Sequence, residues 1–155
     1  MQTKRNSYGK LLWLVPIIVV LGFCYFNSLQ PVSESRTFTL GLLVYFKQLA
    51  LHYFNLELPL NNGLFRKIGH FIEFMLLGFF LYLALVNLCP RTKLKALFAW
   101  LLAILAASLD EILQLFADNR GAQLKDVLLD SSGALTGIIL ALLLVKVIKG
   151  QQKPR

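Results

Sequence analysis

Four long apolar runs, at residues 11–26, 68–88, 97–116 and 127–148, leave this chain few ways to fold. A helix rises 1.5 Å per residue and the hydrocarbon core of a bilayer is about 30 Å thick, so roughly 20 apolar residues cross it. The last three runs meet that length, and the first meets it once Asn27 to Leu29 are included. Lipid offers no partner to backbone N–H and C=O groups, so the runs are expected to be helices. Composition agrees: 57% of the 155 residues are apolar and 15% are charged, against about 25% charged in soluble domains. The expectation is one all-α integral membrane domain, residues 1–155, with spans at 11–29, 68–88, 97–116 and 127–148.

Lys4, Arg5 and Lys10 ahead of the first run would also suit a secretory signal peptide. Cleavage wants small residues, and Cys24-Tyr25-Phe26-Asn27 is bulky, so the run reads as an uncleaved anchor. The segment 37–58 is apolar too, yet Gln48, His52 and Asn55 fall at i, i+4, i+7 and form one polar stripe. That pattern suits a helix lying in the interface or re-entering the bilayer.

Charge placement decides between four spans and five. With four spans and a cytoplasmic N-terminus, one side receives Lys4, Arg5, Lys10, Arg91, Lys93, Lys95, Lys146, Lys149, Lys153 and Arg155. These are ten of the 16 basic residues, and none of the eight acids accompanies them. The bias is the positive-inside pattern, with both termini cytoplasmic; a fifth span at 37–58 would break it. It also accounts for the net charge of +8 without nucleic acid as a partner. The same basic residues suit anionic lipid. Cys24 and Cys89 would then face opposite membrane surfaces, which predicts free thiols.

All the acids lie on the other side, and several fall within apolar runs. Counting 1.5 Å per residue from the ends of the runs, His70, Glu73, Asp110, Glu111 and Asp130 all sit roughly 5–9 Å below that surface. Intramembrane acids usually face a bundle interior or a water-filled cavity. His70/Glu73 and Glu111/Gln114 are i, i+3, while Asp110/Gln114 and Asp126/Asp130 are i, i+4, so each pair shares a helix face. Three helices thus supply one outward-facing acidic pocket. Asp110 and Glu111 point about 100° apart, so one is expected in the pocket and the other against a neighbouring helix. Arg120 suits a phosphate or carboxylate ligand and equally a salt bridge to Asp126 or Glu111. Two histidines and no nearby Cys disfavour zinc, and the carboxylates would suit Mg²⁺ or Ca²⁺; on balance no metal and no cofactor is expected. Gly133-x-x-x-Gly137 with Ala141, and Ala103-x-x-x-Ala107, make small-residue stripes, read as packing within the bundle in preference to a homo-oligomer seam. Walker A, GxSxG, HExxH and GxGxxG motifs are absent from the sequence.

The residues Lys67-x-x-His70-Phe71-x-x-Phe74, followed by Asp110-Glu111-x-x-Gln114-x5-Arg120-x5-Asp126-x3-Asp130-x2-Gly133, resemble the VanZ family over roughly residues 66–140. Phe74 stands where that family often has Tyr. The resemblance implies a small protein of the bacterial plasma membrane, in a family whose namesake lowers susceptibility to the lipoglycopeptide teicoplanin. On this basis the pocket residues His70, Glu73, Asp110, Glu111, Gln114, Arg120, Asp126 and Asp130 are expected to bind an amphiphile in the outer leaflet. The ligand would be a lipid-linked envelope precursor or a lipid-tailed glycopeptide. An intramembrane hydrolase acting on lipid-linked glycans or phosphates is the alternative, with Asp110 or Glu111 as general acid or base. A proton-coupled transporter would need an oligomer, since four spans without an inverted repeat leave little room for alternating access.

Overall fold

The computed structural model describes residues 11–117 and 121–151, and it is helical throughout. A short 3₁₀ turn, Leu12–Leu14, leads into α1 (Val15–Leu29); α2 (Val32–Phe54), α3 (Asn62–Leu88), α4 (Lys95–Gln114) and α5 (Leu124–Gln151) follow. Four stretches are long and apolar enough to cross a membrane: Leu12–Leu29, α3, α4 and α5. They match the four expected spans: the C-terminal ends at Leu29 and Leu88 coincide, and the largest difference is the earlier start of α3 at Asn62.

The boundaries have local causes. Pro16 occupies the first turn of α1, where its missing N–H leaves no bond unmade. The Asn61 side chain caps α3 by accepting the Leu64 N–H at 2.8 Å, so the helix starts six residues before the apolar run. Asn55 ends α2 in the left-handed conformation, φ 48°, which asparagine tolerates. Its N–H donates to the Leu51 carbonyl at 3.1 Å. Thus α2 begins five residues before the segment 37–58 and stops short of its end, and Asn55 belongs to the cap.

Sorting by size rather than polarity organises the bundle. Along α4 the buried residues are Ala99, Ala103, Ala106, Ala107, Asp110, Glu111 and Gln114, whereas Leu101, Leu102, Leu105, Leu109 and Ile112 are exposed. Small and polar groups face inward and large apolar ones outward, as expected where lipid is as apolar as leucine. Helices α3 and α5, which run parallel, meet backbone to backbone. A Cβ on Gly137 would stand 1.8 Å from the Met75 carbonyl oxygen, one on Gly78 2.1 Å from that of Ala134, and one on Gly133 2.5 Å from that of Phe71. The Gly133/Gly137 stripe is therefore spent inside the bundle. Helix α1 packs on the opposite flank, where the Tyr25 hydroxyl donates to the Ala106 carbonyl at 3.3 Å. Helix α2 buries only Leu43.

These contacts yield a prediction. Gly137→Ala forces backbone against backbone and should destabilise the protein by about 1–3 kcal/mol. Gly22, whose Cβ would meet nothing within 4 Å, should accept alanine at no loss or with a gain of up to ~1 kcal/mol. Unfolding of both variants in mixed micelles titrated with SDS checks the difference.

Candidate functional site

The N-terminal halves of α3 and α5 and the C-terminal end of α4 meet at one end of the bundle, opposite the basic 89–94 connection. There they enclose a cavity of about 240 Å³, closed on the remaining sides by the start of α2 and by residues 121–123. Buried side chains make its floor: Glu111 from α4, at 4% exposure, Gln114 beside it, and Asp130 from α5, at 1%. His70 of α3 is half-buried in the wall. Arg36 of α2 and Lys67 of α3 are exposed at the mouth, with Arg66 half-buried between mouth and floor.

A hydrogen-bond network holds the acids of α4. The Gln114 side-chain amide donates to Asp110 Oδ2 at 3.1 Å and to Glu111 Oε1 at 3.2 Å. The Gln123 backbone N–H donates to Glu111 Oε2 at 2.7 Å, tying the loop after α4 to the floor. Glu111 lines the cavity and Asp110, fully buried, stands behind it, as their 100° separation requires. His70 Nδ1 is 4.0 Å from Asp110 Oδ2 and also 4.0 Å from Glu73 Oε2. At the mouth Lys67 Nζ pairs with Asp126 Oδ1 at 2.6 Å.

The structure brings together most of the residues expected from sequence, Asp126 at the cavity among them, and turns one away. Glu73 is not in the cavity wall: it turns toward α1, where the Asn27 amide donates to its Oε1 at 3.5 Å and the Cys24 thiol lies against it. Asp126 takes Lys67 as its ion-pair partner. Arg120, the expected phosphate clamp, lies outside the described residues. Both cysteines are free, Cys24 buried and Cys89 exposed.

Arg36, Arg66 and Gln123 went unread in the sequence. Arg66 carried a signal, because it precedes His70 by four residues and shares its helix face. Arg36 carried none, since its place depends on how α2 folds back on α3.

Four membrane-crossing helices around a polar, half-enclosed floor define a multi-pass α-helical membrane protein. A family model described as VanZ/LLP1 matches residues 8–145 of the 155, and the chain belongs to that family. None of the curated proteins and none of the solved structures searched matches it.

The Lys67–Asp126 pair is solvent-accessible, with 50% and 27% of the two side chains exposed. Such pairs contribute little to stability. A double-mutant cycle of Lys67→Ala and Asp126→Ala, read by SDS unfolding, should give a coupling below about 1 kcal/mol. Any loss of function in either variant then reports on the cavity rather than on the fold.

Proposed function

We propose that this protein binds the anionic head of a lipid-linked amphiphile in the outer leaflet of the bacterial plasma membrane, and thereby lowers susceptibility to teicoplanin-type lipoglycopeptides. One observation carries this reading: a cavity with Arg36 and Lys67 at its mouth, Arg66 half-buried in its lining, and Glu111, Gln114 and Asp130 at its floor. Guanidinium and ammonium groups at the mouth suit phosphate or carboxylate, Arg through paired N–H donors. Buried carboxylates and an amide below suit the hydroxyl and amide donors of a glycan or peptide. The acyl chains would remain in lipid, against the exposed leucines and phenylalanines of the helices. Family membership supports the link to antibiotic susceptibility.

The cavity opens outward if both termini are cytoplasmic, which the loop charges support. Cys89, exposed in the connection between α3 and α4, is then cytoplasmic, while Cys24 at 0% exposure stays unreactive. A membrane-impermeant maleimide should label Cys89 in inverted vesicles and not in intact spheroplasts. The reverse labelling would turn the cavity to the cytoplasm and remove the proposal.

For function, wild type, Arg66→Gln and Glu111→Gln should be expressed in a teicoplanin-sensitive Gram-positive host, with membrane levels quantified by blot. Wild type should raise the inhibitory concentration and each variant should lose the effect at equal membrane level. Purified Arg66→Gln should bind a lipid-linked phosphate about 10-fold or more weakly, since a hydrogen bond to a charged group contributes ~1.5–3 kcal/mol. Equal protection by all three proteins would make the cluster structural.

A further inference from the structure

Beside and beneath the cavity floor, three helices converge on one point. His70 from α3, Asp110 from α4 and Asp130 from α5 each offer a ligand atom, and these atoms lie within 4.8 Å of one another. We propose that this cluster is a binding site for a divalent transition-metal ion, Mn²⁺ or Zn²⁺ in character, held by one imidazole and two carboxylates.

Unsatisfied bonding capacity is the first support. His70 Nδ1, Asp110 Oδ1 and both carboxylate oxygens of Asp130 are buried and accept or donate no hydrogen bond among the described residues. Asp110 and Asp130 are at 0% and 1% exposure. Buried polar atoms are nearly always paired, so four together on one cluster point to a ligand that engages them all. A proton shared between the carboxylates or with the imidazole would bring donor and acceptor to about 2.5–3.2 Å. The separation between His70 Nδ1 and Asp110 Oδ2 is instead 4.0 Å.

Charge is the second support. Two ionised carboxylates out of water and without a counter-charge cost several kcal/mol each. The His70 imidazole stands 4.0 Å from Asp110, but among the described residues neither Asp110 nor Asp130 makes an ion pair with Lys or Arg, and Lys67 is engaged with Asp126. A divalent cation neutralises the two acids together.

Geometry and donor type are the third. Zn²⁺ binds imidazole nitrogen and carboxylate oxygen at about 2.0–2.2 Å, which sets neighbouring donors about 3.3 Å apart. Closing from separations within 4.8 Å takes side-chain movements of up to about 1.5 Å. Mixed nitrogen and oxygen donors favour Mn²⁺ or Zn²⁺ over Mg²⁺ and Ca²⁺, which prefer all-oxygen shells. Gln114 already fixes the Asp110 carboxylate through Oδ2, as partners of metal ligands do. The sequence disfavoured a metal because it counts histidines and cysteines; the folded chain needs one histidine, with acids from two other helices. Since His70 and Asp130 also line the cavity, the ion would stand where the head of a bound amphiphile ends.

The site is testable without any amphiphile. Chelator-stripped protein in nanodiscs is titrated with Mn²⁺ alone, following the free-ion EPR signal, and with Zn²⁺ alone, counting bound metal by mass spectrometry after desalting. Wild type should bind about one ion per chain, and Asp130→Asn and His70→Gln should each weaken binding by about 10-fold or more. Glu57→Gln, an exposed acid outside the cluster, should leave it unchanged. Circular dichroism and size-exclusion profiles establish that each variant is folded, and His70→Gln carries the test if Asp130→Asn is not. A wild type that binds far less than one ion per chain, or well-folded variants that bind as wild type does, overturns the proposal. Either result is read independently of antibiotic susceptibility, so the metal site and the amphiphile reading fail separately.

Discussion

The close backbone approach of α3 and α5 through Gly78, Gly133 and Gly137 is the constraint on which the rest of the described structure depends. In lipid, burying leucine against leucine gains little, so helices associate where small residues let backbones meet and dispersion contacts accumulate. Gly133 lies three residues beyond Asp130 and seven beyond Asp126, and Phe71, which it faces, follows His70. The contact that fixes the rotation of α5 on α3 thereby also fixes which side chains reach the cavity. Adding a methyl group at Gly133 would press on the Phe71 carbonyl and so displace Asp130 relative to His70.

Around that pair, the remaining helices close the site in different ways. Helix α4 contributes a row of buried alanines and then, in its last turn and a half, Asp110, Glu111 and Gln114. Its interior thus changes from close-packed to polar within one helix, and Gln114 bridges both acids so that they move together. Helix α1 takes Glu73 away from the cavity through Asn27 and Cys24. One polar stripe on α3 consequently serves two neighbours: His70 looks toward α4 and α5, Glu73 toward α1.

Much of this was legible from the sequence, and the limits have physical causes. Run length places the four spans because bilayer thickness leaves one solution. It does not place their ends: Asn62 to Lys67 at the start of α3 is too polar to extend the apolar run, yet it is helical, with Asn61 as its cap. The depth count put His70, Asp110, Glu111 and Asp130 at one level because helix rise is fixed. Helix rotation is not fixed by spacing, so Glu73 was expected in the cavity with His70 and is found facing Asn27. Arg36 had no signal at all, since α2 reaches the mouth through tertiary folding that no local pattern encodes. The motif that resembles the family marks Lys67 and His70 on α3 and the acids of α4 and α5, but omits Arg36 and Arg66.

Helix α2 buries only Leu43, while Phe38, Leu40, Tyr45, Phe46, Leu51 and Phe54 stand exposed along it. Protein contacts hold it weakly, and most of its apolar surface is left uncovered by the rest of the described chain. It nonetheless carries Arg36 to the mouth of the cavity. The position of that guanidinium therefore depends on whatever covers the outer face of α2. If that cover is the bilayer, acyl-chain length and head-group packing become part of the site, and a detergent micelle would present a differently shaped entrance.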